Sequence, residues 1–131
     1  MRLLLDTHAV LWWLLGDSRF AEPARDAIND EDSTVLVSAA SAWEIATKSR
    51  LGKLTGAKAL VQSFDQMIEA EGFLPLPISL AHGQRAGSLP GSHKDPFDRM
   101  LIAQGQAENL VLVSNDDIFD QYGITRLWDR R

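Results

Sequence analysis

The sequence predicts an α/β fold with a central, mainly parallel β-sheet of four to five strands. Two runs, Leu3 to Leu5 and Leu110 to Val113, are apolar without alternation, which is typical of strands buried on both faces of a parallel sheet. Segments with apolar residues at helical spacing lie between these two runs. The chain of 131 residues is long enough for one domain with a sizeable core, and we expect that domain to span residues 1–131.

The composition limits the classes of function. The chain has 18 acidic and 13 basic residues, which give a net charge of −5. An acidic chain is a poor general binder of nucleic acid because phosphate contacts need Lys and Arg, so any such role must rest on local charge. The lack of cysteine excludes disulfides, iron–sulfur clusters and cysteine zinc sites.

The first residues imitate a signal peptide but do not complete one. Asp6 and His8 interrupt the leucine run, and the apolar stretch from Ala9 to Leu15 is far shorter than the ~20 residues of a membrane span. We therefore expect a cytoplasmic protein with no membrane contact.

The first strand, Arg2 to Asp6, ends in a carboxylate. Open α/β sheets bind ligands outside the carboxyl ends of their strands, which is where Asp6 falls. An aspartate between a strand and a helix is also a common N-cap, and for Asp6 alone that role is favoured. The helix that follows, Ala9 to Leu15, is apolar around its whole circumference, so its two tryptophans either fill the core or form part of a groove for a partner.

Capping residues, breakers and apolar spacing place the remaining elements. In chain order we predict a helix over 23–29, a strand over 33–37, a helix from Ser38 to about Ser49, an amphipathic helix over 57–71, a short edge strand over 73–78, a helix over 79–89, a helix beginning at Asp95 and Pro96, a strand over 110–113, a short helix through Asp120 and a last strand over 124–128.

Glu44 has two structural explanations. It has capping-box spacing to Ser41, and it forms a favourable pair with Lys48 at i,i+4. If Ser38 is the N-cap, the capping box disappears and Glu44 lies in the second turn, near the same sheet edge as Asp6. The stretch from Lys48 to Lys58 contains four cations and no acid, and is either a solvated face or a surface that guides phosphate.

Two later segments also place acids beside strand ends. Asp98 lies in the first turn of its helix and shares the apolar face of Leu101 and Ile102, where a carboxylate needs a cation or hydrogen-bond donors. Asp95 is explained as an N-cap that pairs with Arg99. The strand ending at Val113 is followed by Ser-Asn-Asp-Asp, and only one of its two aspartates can cap the short helix.

Four acids, Asp6, Glu44, Asp98 and Asp116, thus follow strands or lie in early turns of the next helix. In a parallel sheet these places share one edge. Like charges held close together raise one another's pKa values and oppose folding, and a hard divalent cation such as Mg²⁺ or Mn²⁺ resolves that conflict. Such an ion can activate water for attack on a phosphodiester.

The motifs resemble those of PIN-domain ribonucleases, and most closely the VapC-like toxins of type II toxin–antitoxin systems. The resemblance covers essentially the whole chain and rests on an ordered set: Leu-Leu-Leu-Asp6-Thr-His, Ser38-x-x-Ser-x-Trp-Glu44-Ile with Lys48 and Gly52-Lys-Leu, His93-Lys-Asp-Pro-Phe-Asp98-Arg-x-Leu-Ile-Ala, and Val113-Ser-Asn-Asp116. It implies a Rossmann-like α/β/α three-layer sandwich, a homodimer, Mg²⁺- or Mn²⁺-dependent endonucleolytic cleavage of RNA, and restraint by a cognate antitoxin.

The resemblance also implies roles for individual residues. The metal-binding and catalytic acids fall on Asp6, Glu44, Asp98 and Asp116, with Asp117 as a second candidate for the last position. Thr7 and Ser114 match supporting positions. A metal-bound water is the expected nucleophile, so no side chain is assigned as general base. We consider Lys48, Arg50, Lys53 and Arg99 candidates for contact with RNA phosphate.

Three alternatives compete with this interpretation. An aspartyl-phosphate phosphohydrolase usually has Asp-x-Asp after its first strand, where this chain has His8. A receiver domain would need an adjacent acid pair there and a late lysine, yet no lysine follows Lys94. A PIN-like scaffold that binds RNA or protein without cutting has no physical need for the four acids.

Overall fold

The computed structural model describes residues 1–130, and within them five strands form one sheet. The strands are β1 (Arg2–Leu5), β2 (Thr34–Ser38), β3 (Leu74–Leu76), β4 (Val111–Val113) and β5 (Arg126–Leu127). They run in the order β3-β2-β1-β4-β5, and every neighbouring pair is parallel. The predicted α/β class and parallel sheet are therefore confirmed. Arg131, the last residue of the predicted domain, lies outside the described residues, and the single-domain boundary stays a prediction.

Helices connect the strands and cover the sheet. They are α1 (Thr7–Leu15), α2 (Glu22–Asn29), α3 (Ala39–Arg50), α4 (Lys58–Gln62), α5 (Phe64–Ala70), α6 (Leu80–Ser88) and α7 (Pro96–Ala107), with a 3-10 helix at Asp117–Tyr122. No helix among residues 1–130 has the length and apolarity needed to cross a membrane.

The two faces of the sheet carry separate hydrophobic clusters. Leu3 and Leu5 point into one cluster, which contains residues of α1, α2, α4 and α5. Leu4, on the other face of β1, packs in a second cluster with residues of α7 and the 3-10 helix. All three leucines are fully buried, as their apolar run predicts. The result is the three-layer α/β/α arrangement.

The strand order places a ligand crevice beside β1. The chain adds β2 and β3 on one side of β1 and then returns to add β4 and β5 on the other, so the order reverses between β1 and β4. Leu5 lies opposite both Val37 and Val113, which puts the next residues, Asp6, Ser38 and Ser114, side by side. Ligands of open α/β sheets bind at such a reversal.

Side-chain caps start the helices at this edge. Ser38 accepts a hydrogen bond from the Ala40 amide, and Asp95 accepts from the amides of Phe97 and Asp98. Both predicted N-caps are confirmed. Since Ser38 caps α3, Ser41 lies inside the helix and the capping-box explanation for Glu44 disappears.

The segment predicted as one helix over 57–71 is two helices, and that prediction was wrong. Ser63 lies between α4 and α5, with its amide bonded to Leu60, three residues back. This tighter spacing ends α4, and serine favours such breaks because its side chain competes for backbone groups. Leu60 and Ile68, one from each helix, are both buried in the core.

Candidate metal centre

Asp6 is the central acid of the sheet edge. Its side chain is only 5 % exposed, and its Oδ1 accepts a hydrogen bond from the Ala9 amide at 2.8 Å. Burial raises the pKa of Asp6 to about 6, against hydrogen bonds from the Ser114 hydroxyl and the Ala9 amide, which lower it. The charge of Asp98 raises this pKa further. Asp6 is therefore both the N-cap of α1 and a carboxylate held in a place that disfavours its charge.

Asp98 lies in the first turn of α7, close to other acids. Burial raises its pKa, and the charges of Asp95 and Glu44 add to the rise. His93 opposes it, with Nε2 at 2.8 Å from the Asp98 Oδ2. The pKa of Asp98 is thus raised by acids from two segments of the chain, Asp95 before α7 and Glu44 on α3, as expected for a shared site.

Glu44 is the most deeply buried acid of the group, with 3 % of its surface exposed. Its Oε2 forms an ion pair with Nζ of Lys48 at 2.5 Å, as the i,i+4 spacing predicts. Its Oε1 is buried and accepts no hydrogen bond from any described residue. A buried oxygen without a donor costs free energy, so this atom is available to a cation.

Two hydroxyls connect the elements that carry the acids. The Thr7 hydroxyl donates to the Ser41 hydroxyl at 3.1 Å, and this buried contact ties the first turn of α1 to α3. Ser114 is fully buried directly after β4; its hydroxyl bonds to Asp6 while its Oγ accepts from the Asp116 amide at 3.0 Å. Both residues therefore lie where supporting groups were expected.

Asp116 and Asp117 differ in what they contact. Asp116 is the N-cap of the 3-10 helix, with its Oδ1 accepting from the Ile118 amide at 3.1 Å. Asp117 is the first residue of that helix, and its charge acts on Arg126. Both side chains are exposed. Asp116 is connected to the acid site through its backbone amide, which donates to Ser114, while its carboxylate caps the 3-10 helix.

The acids share one edge but do not form a ready set of ligands. Among residues 1–130, no three His, Asp or Glu side chains are grouped closely enough to hold a metal ion. Each carboxylate is instead held by its own donor: Asp6 by Ala9 and Ser114, Glu44 by Lys48, Asp98 by His93 and Asp116 by Ile118. Asp98 interacts electrostatically with both Asp6 and Glu44, whereas Asp116 lies on the exposed side.

The candidate RNA-contact residues have different surroundings. Arg50 and Lys53 are exposed, whereas Lys48 is half-buried in its pair with Glu44. Arg99 has another role than the one expected, because its guanidinium donates to the carbonyls of Ala86, Leu89 and His93. These bonds fix the loop before α7, so we assign Arg99 to positioning His93 rather than to binding phosphate.

Two histidines near the acids were missed as site residues. His93 contacts Asp98, and the charge of His8 lowers the pKa of Asp6. The three histidines of the sequence do not fall at zinc-ligand spacing, so the pattern gave them no ligand role. The available signal was that each stands within five residues of a predicted site acid.

The donor chemistry of this edge fits a hard divalent cation. Carboxylate oxygens are the ligands that Mg²⁺ and Mn²⁺ prefer. Burial and like charges raise the pKa values of Asp6 and Asp98, and an ion would relieve both effects. The unpaired Oε1 of Glu44 lacks a partner that an ion would supply.

Comparisons with known proteins agree with the fold. The model of the PIN domain family matches residues 3–124. The chain is similar to VapBC2 from Rickettsia felis bound to a promoter DNA fragment, with a TM-score of 0.71, 16 % identity, and 98 % of this chain and 100 % of that chain covered. It is similar to DNA-bound VapBC from Salmonella typhimurium, with a TM-score of 0.69, 18 % identity and 97 % of each chain covered. A third similar structure is FitAB bound to an IR36 DNA fragment, with a TM-score of 0.62, 17 % identity, and 95 % of this chain and 93 % of that chain covered. No curated protein matches the chain.

Proposed function

The chain belongs to the PIN domain family, and on that premise we propose that it is a Mg²⁺- or Mn²⁺-dependent endoribonuclease, the toxin of a type II toxin–antitoxin pair. One observation carries the proposal. Asp6, a buried carboxylate with a raised pKa, lies at the reversal of strand order, within electrostatic reach of a half-buried acid, Asp98. Acids that serve only stability are rarely held at such a cost, and perturbed pKa values in a cleft favour a functional site.

We assign the metal to four residues. Asp6, Glu44 and Asp98 would hold it from the buried side, and Asp116, placed by Ser114, would contribute from the exposed side. A divalent ion there supplies a charge that stabilises a phosphodiester under attack and makes water more acidic. Ser114 and Thr7 keep the strand ends and helix starts in register, and Lys48 offsets part of the charge of Glu44.

RNA would approach over the basic end of α3. Arg50 lies at the C-terminal end of this helix and Lys53 follows it in the loop, and both are exposed. Two cations beyond Glu44 give the acidic chain a local surface for phosphate. We further propose that this chemistry takes place in the cytoplasm.

We propose a cognate antitoxin as the protein partner, with an apolar tail that carries arginine. The similar structures named VapBC and FitAB are complexes of two proteins with DNA. A groove of about 630 Å³ between α3, α5 and β3 is lined mostly by apolar residues, including Phe64, Ile68 and Phe73. Asp65 and Glu69 also line it, so its charge complements a cationic apolar segment.

A homodimer would cover the apolar residues that follow this edge of the sheet. Leu80 is 96 % exposed, and Leu74 and Ile78 are also exposed. Contiguous exposed apolar side chains commonly mark an interface. We therefore place the proposed second copy against Ile78 and the start of α6, which leaves the groove beside β3 to the antitoxin.

The alternative of a non-catalytic PIN-like scaffold is favoured by one observation, the lack of a ready three-residue ligand group in residues 1–130. RNA digestion separates the two functions. Purified protein is incubated with a mixed single-stranded RNA in EDTA, and then with Mg²⁺ or Mn²⁺ added in excess. We expect cleavage only after the metal is added. RNA left intact under every metal condition, by protein that still binds it, would support the scaffold.

A further inference from the structure

His8 presents an exposed ring beside the acid site. It lies in the first turn of α1, two residues after Asp6, and its charge acts directly on the Asp6 carboxylate. Burial does not explain this ring, since it is exposed while Asp6, Thr7 and Ala9 around it are buried. The proposed metal site does not use it either.

Trp12 supports His8 from one helical turn away. The two ring centroids are 6.0 Å apart, with the rings tilted by 46°. Trp12 is itself held by Trp128, whose ring centroid is 5.8 Å away, so the aromatic surface is anchored in the core. Ring pairs at such distances attract and hold each other in place.

Arg19 adds a second flat group on the same tryptophan. Its guanidinium carbon lies 4.5 Å from the centroid of the Trp12 ring. Asp17 holds the guanidinium with an ion pair of 2.7 Å, and the Arg19 side chain remains 67 % exposed. Trp12 therefore supports two accessible planar groups, the imidazole of His8 and the guanidinium of Arg19.

Trp13, the next residue of α1, does not contribute to this exposed surface. Its ring packs on Phe20 and Phe73, and its Nε1 donates to Glu71. Trp13 thus faces different elements from those that Trp12 contacts. Of the two open interpretations of these tryptophans, core packing describes both, and Trp12 in addition supports an exposed surface.

We propose that His8, supported by Trp12 and flanked by Arg19, stacks a nucleobase of single-stranded RNA next to the phosphodiester at the acid site. This inference rests on the proposed function and names how the substrate is held. Single-stranded RNA is recognised largely by stacking of its bases on aromatic rings and guanidinium planes. Stacking suits a chain of net charge −5, because it gains affinity from the neutral bases where acids repel phosphate.

The test measures RNA affinity in a background that does not cut. Each variant is made in the Asp6→Asn chain, and the dissociation constant for a fluorescein-labelled single-stranded oligonucleotide is measured by anisotropy. We expect His8→Ala to raise the dissociation constant by about 5- to 100-fold. His8→Phe, which keeps a ring and removes the charge, should stay within about twofold of the parent. Gln66→Ala, an exposed change on α5, is the matched control and should have no effect.

A series of oligonucleotides locates the stacked base. Each carries one abasic position, and the series moves that position along the strand. At one position, removal of the base should weaken binding to the parent and to His8→Phe. It should not weaken binding to His8→Ala, because this variant has no ring at position 8 on which that base could stack. The same strand in a duplex should lose the dependence on His8.

Three results would overturn the inference. The first is an unchanged RNA affinity in His8→Ala, which would leave this surface to a protein partner. The second is a loss of RNA affinity in His8→Phe equal to that in His8→Ala. The third is that no abasic position distinguishes the variants. The measurement is independent of catalysis. RNA that binds through His8 but is never cut by the unmodified chain would refute the nuclease and leave the stacking site standing.

Discussion

Carboxylates in two regions of this molecule have opposite surroundings. At the carboxyl end of the sheet, burial raises the pKa values of Asp6 and Asp98. On the surface, hydrogen bonds from Arg19 and Arg126 lower the pKa values of Asp17 and Asp120. The charged forms of the surface acids are stabilised by their arginine partners. The acids of the sheet edge are held together against burial and mutual repulsion, which is the mark of a site that serves something other than stability.

The surface pairs show what a satisfied carboxylate looks like in this fold. Arg126 binds both oxygens of Asp120, at 2.8 and 3.0 Å, in a fork. Glu44 has a cation on one oxygen only and leaves the other without a donor in the described chain. Complete pairing is thus available to this sequence, and the incomplete pairing of Glu44 supports the proposed metal site.

The largest effect is expected from Asp6→Asn. We expect RNA cleavage to fall at least about 100-fold, since loss of a ligand should exceed the 10- to 100-fold caused by loss of a supporting group. Asparagine caps helices as well as aspartate does, so the fold should be kept. Initial rates of cleavage in saturating Mn²⁺ measure the effect. Asp120→Asn is the matched control, and equal losses in the two variants would erase the contrast between the regions.

Ser114→Ala should produce the next largest effect. The substitution removes the hydroxyl that bonds to Asp6 and the oxygen that accepts from the Asp116 amide, and so loosens two acids at once. We expect a 10- to 100-fold lower rate of cleavage. Circular dichroism checks the fold, and a folded variant with full activity would show that Ser114 does not position the site.

The stability of the metal-free protein should depend on pH through Asp6. With a folded pKa of about 6 against 3.8 in the unfolded chain, Asp6 binds more protons when folded between pH ~4 and ~6. The free energy of unfolding should therefore fall as pH rises through this window, by up to about 3 kcal/mol from this group. Urea unfolding in EDTA at several pH values measures the slope. Asp6→Asn should flatten it and be more stable than the parent at pH 7.5, and an identical slope in both would refute the assignment.

The smallest effect is expected at the surface. The lowered pKa of Asp120 contributes stability above the unfolded pKa of the group, and that contribution is lost as the pH falls through and below about 4. This dependence has the opposite sign to that of Asp6. Because the pair is exposed, Asp120→Asn should leave the midpoint of thermal unfolding at pH 7.5 nearly unchanged. A large drop would mean that the exposed pair of Asp120 and Arg126 contributes much more to stability than a surface ion pair should.

Sequence patterns predicted the central strand, two of the helix starts and the sheet edge on which the acids lie. Leu3 to Leu5 indicated the central strand because no polar residue interrupts it, and Ser38 and Asp95 indicated helix starts by their position before helical segments. The shared sheet edge then followed from the parallel order. These features depend on residues close together in the chain.

Contacts between distant segments could not be predicted in the same way. Arg99 has the charge for binding phosphate, but the loop before α7 places three carbonyls around it. Asp116 matches its motif and yet remains exposed as a cap. The orientation of His8 depends on Trp12, which in turn packs on Trp128 near the opposite end of the sequence.

The central claim is that a divalent ion binds the acids at the carboxyl end of the sheet, and calorimetric titration of Mn²⁺ into the metal-free chain tests it most directly. We predict saturable binding to the unmodified protein and to Asp120→Asn, with affinity reduced at least about tenfold in Asp6→Asn and Asp98→Asn. Equal Mn²⁺ affinity in all four proteins, or no saturable binding to the unmodified chain, would contradict the account.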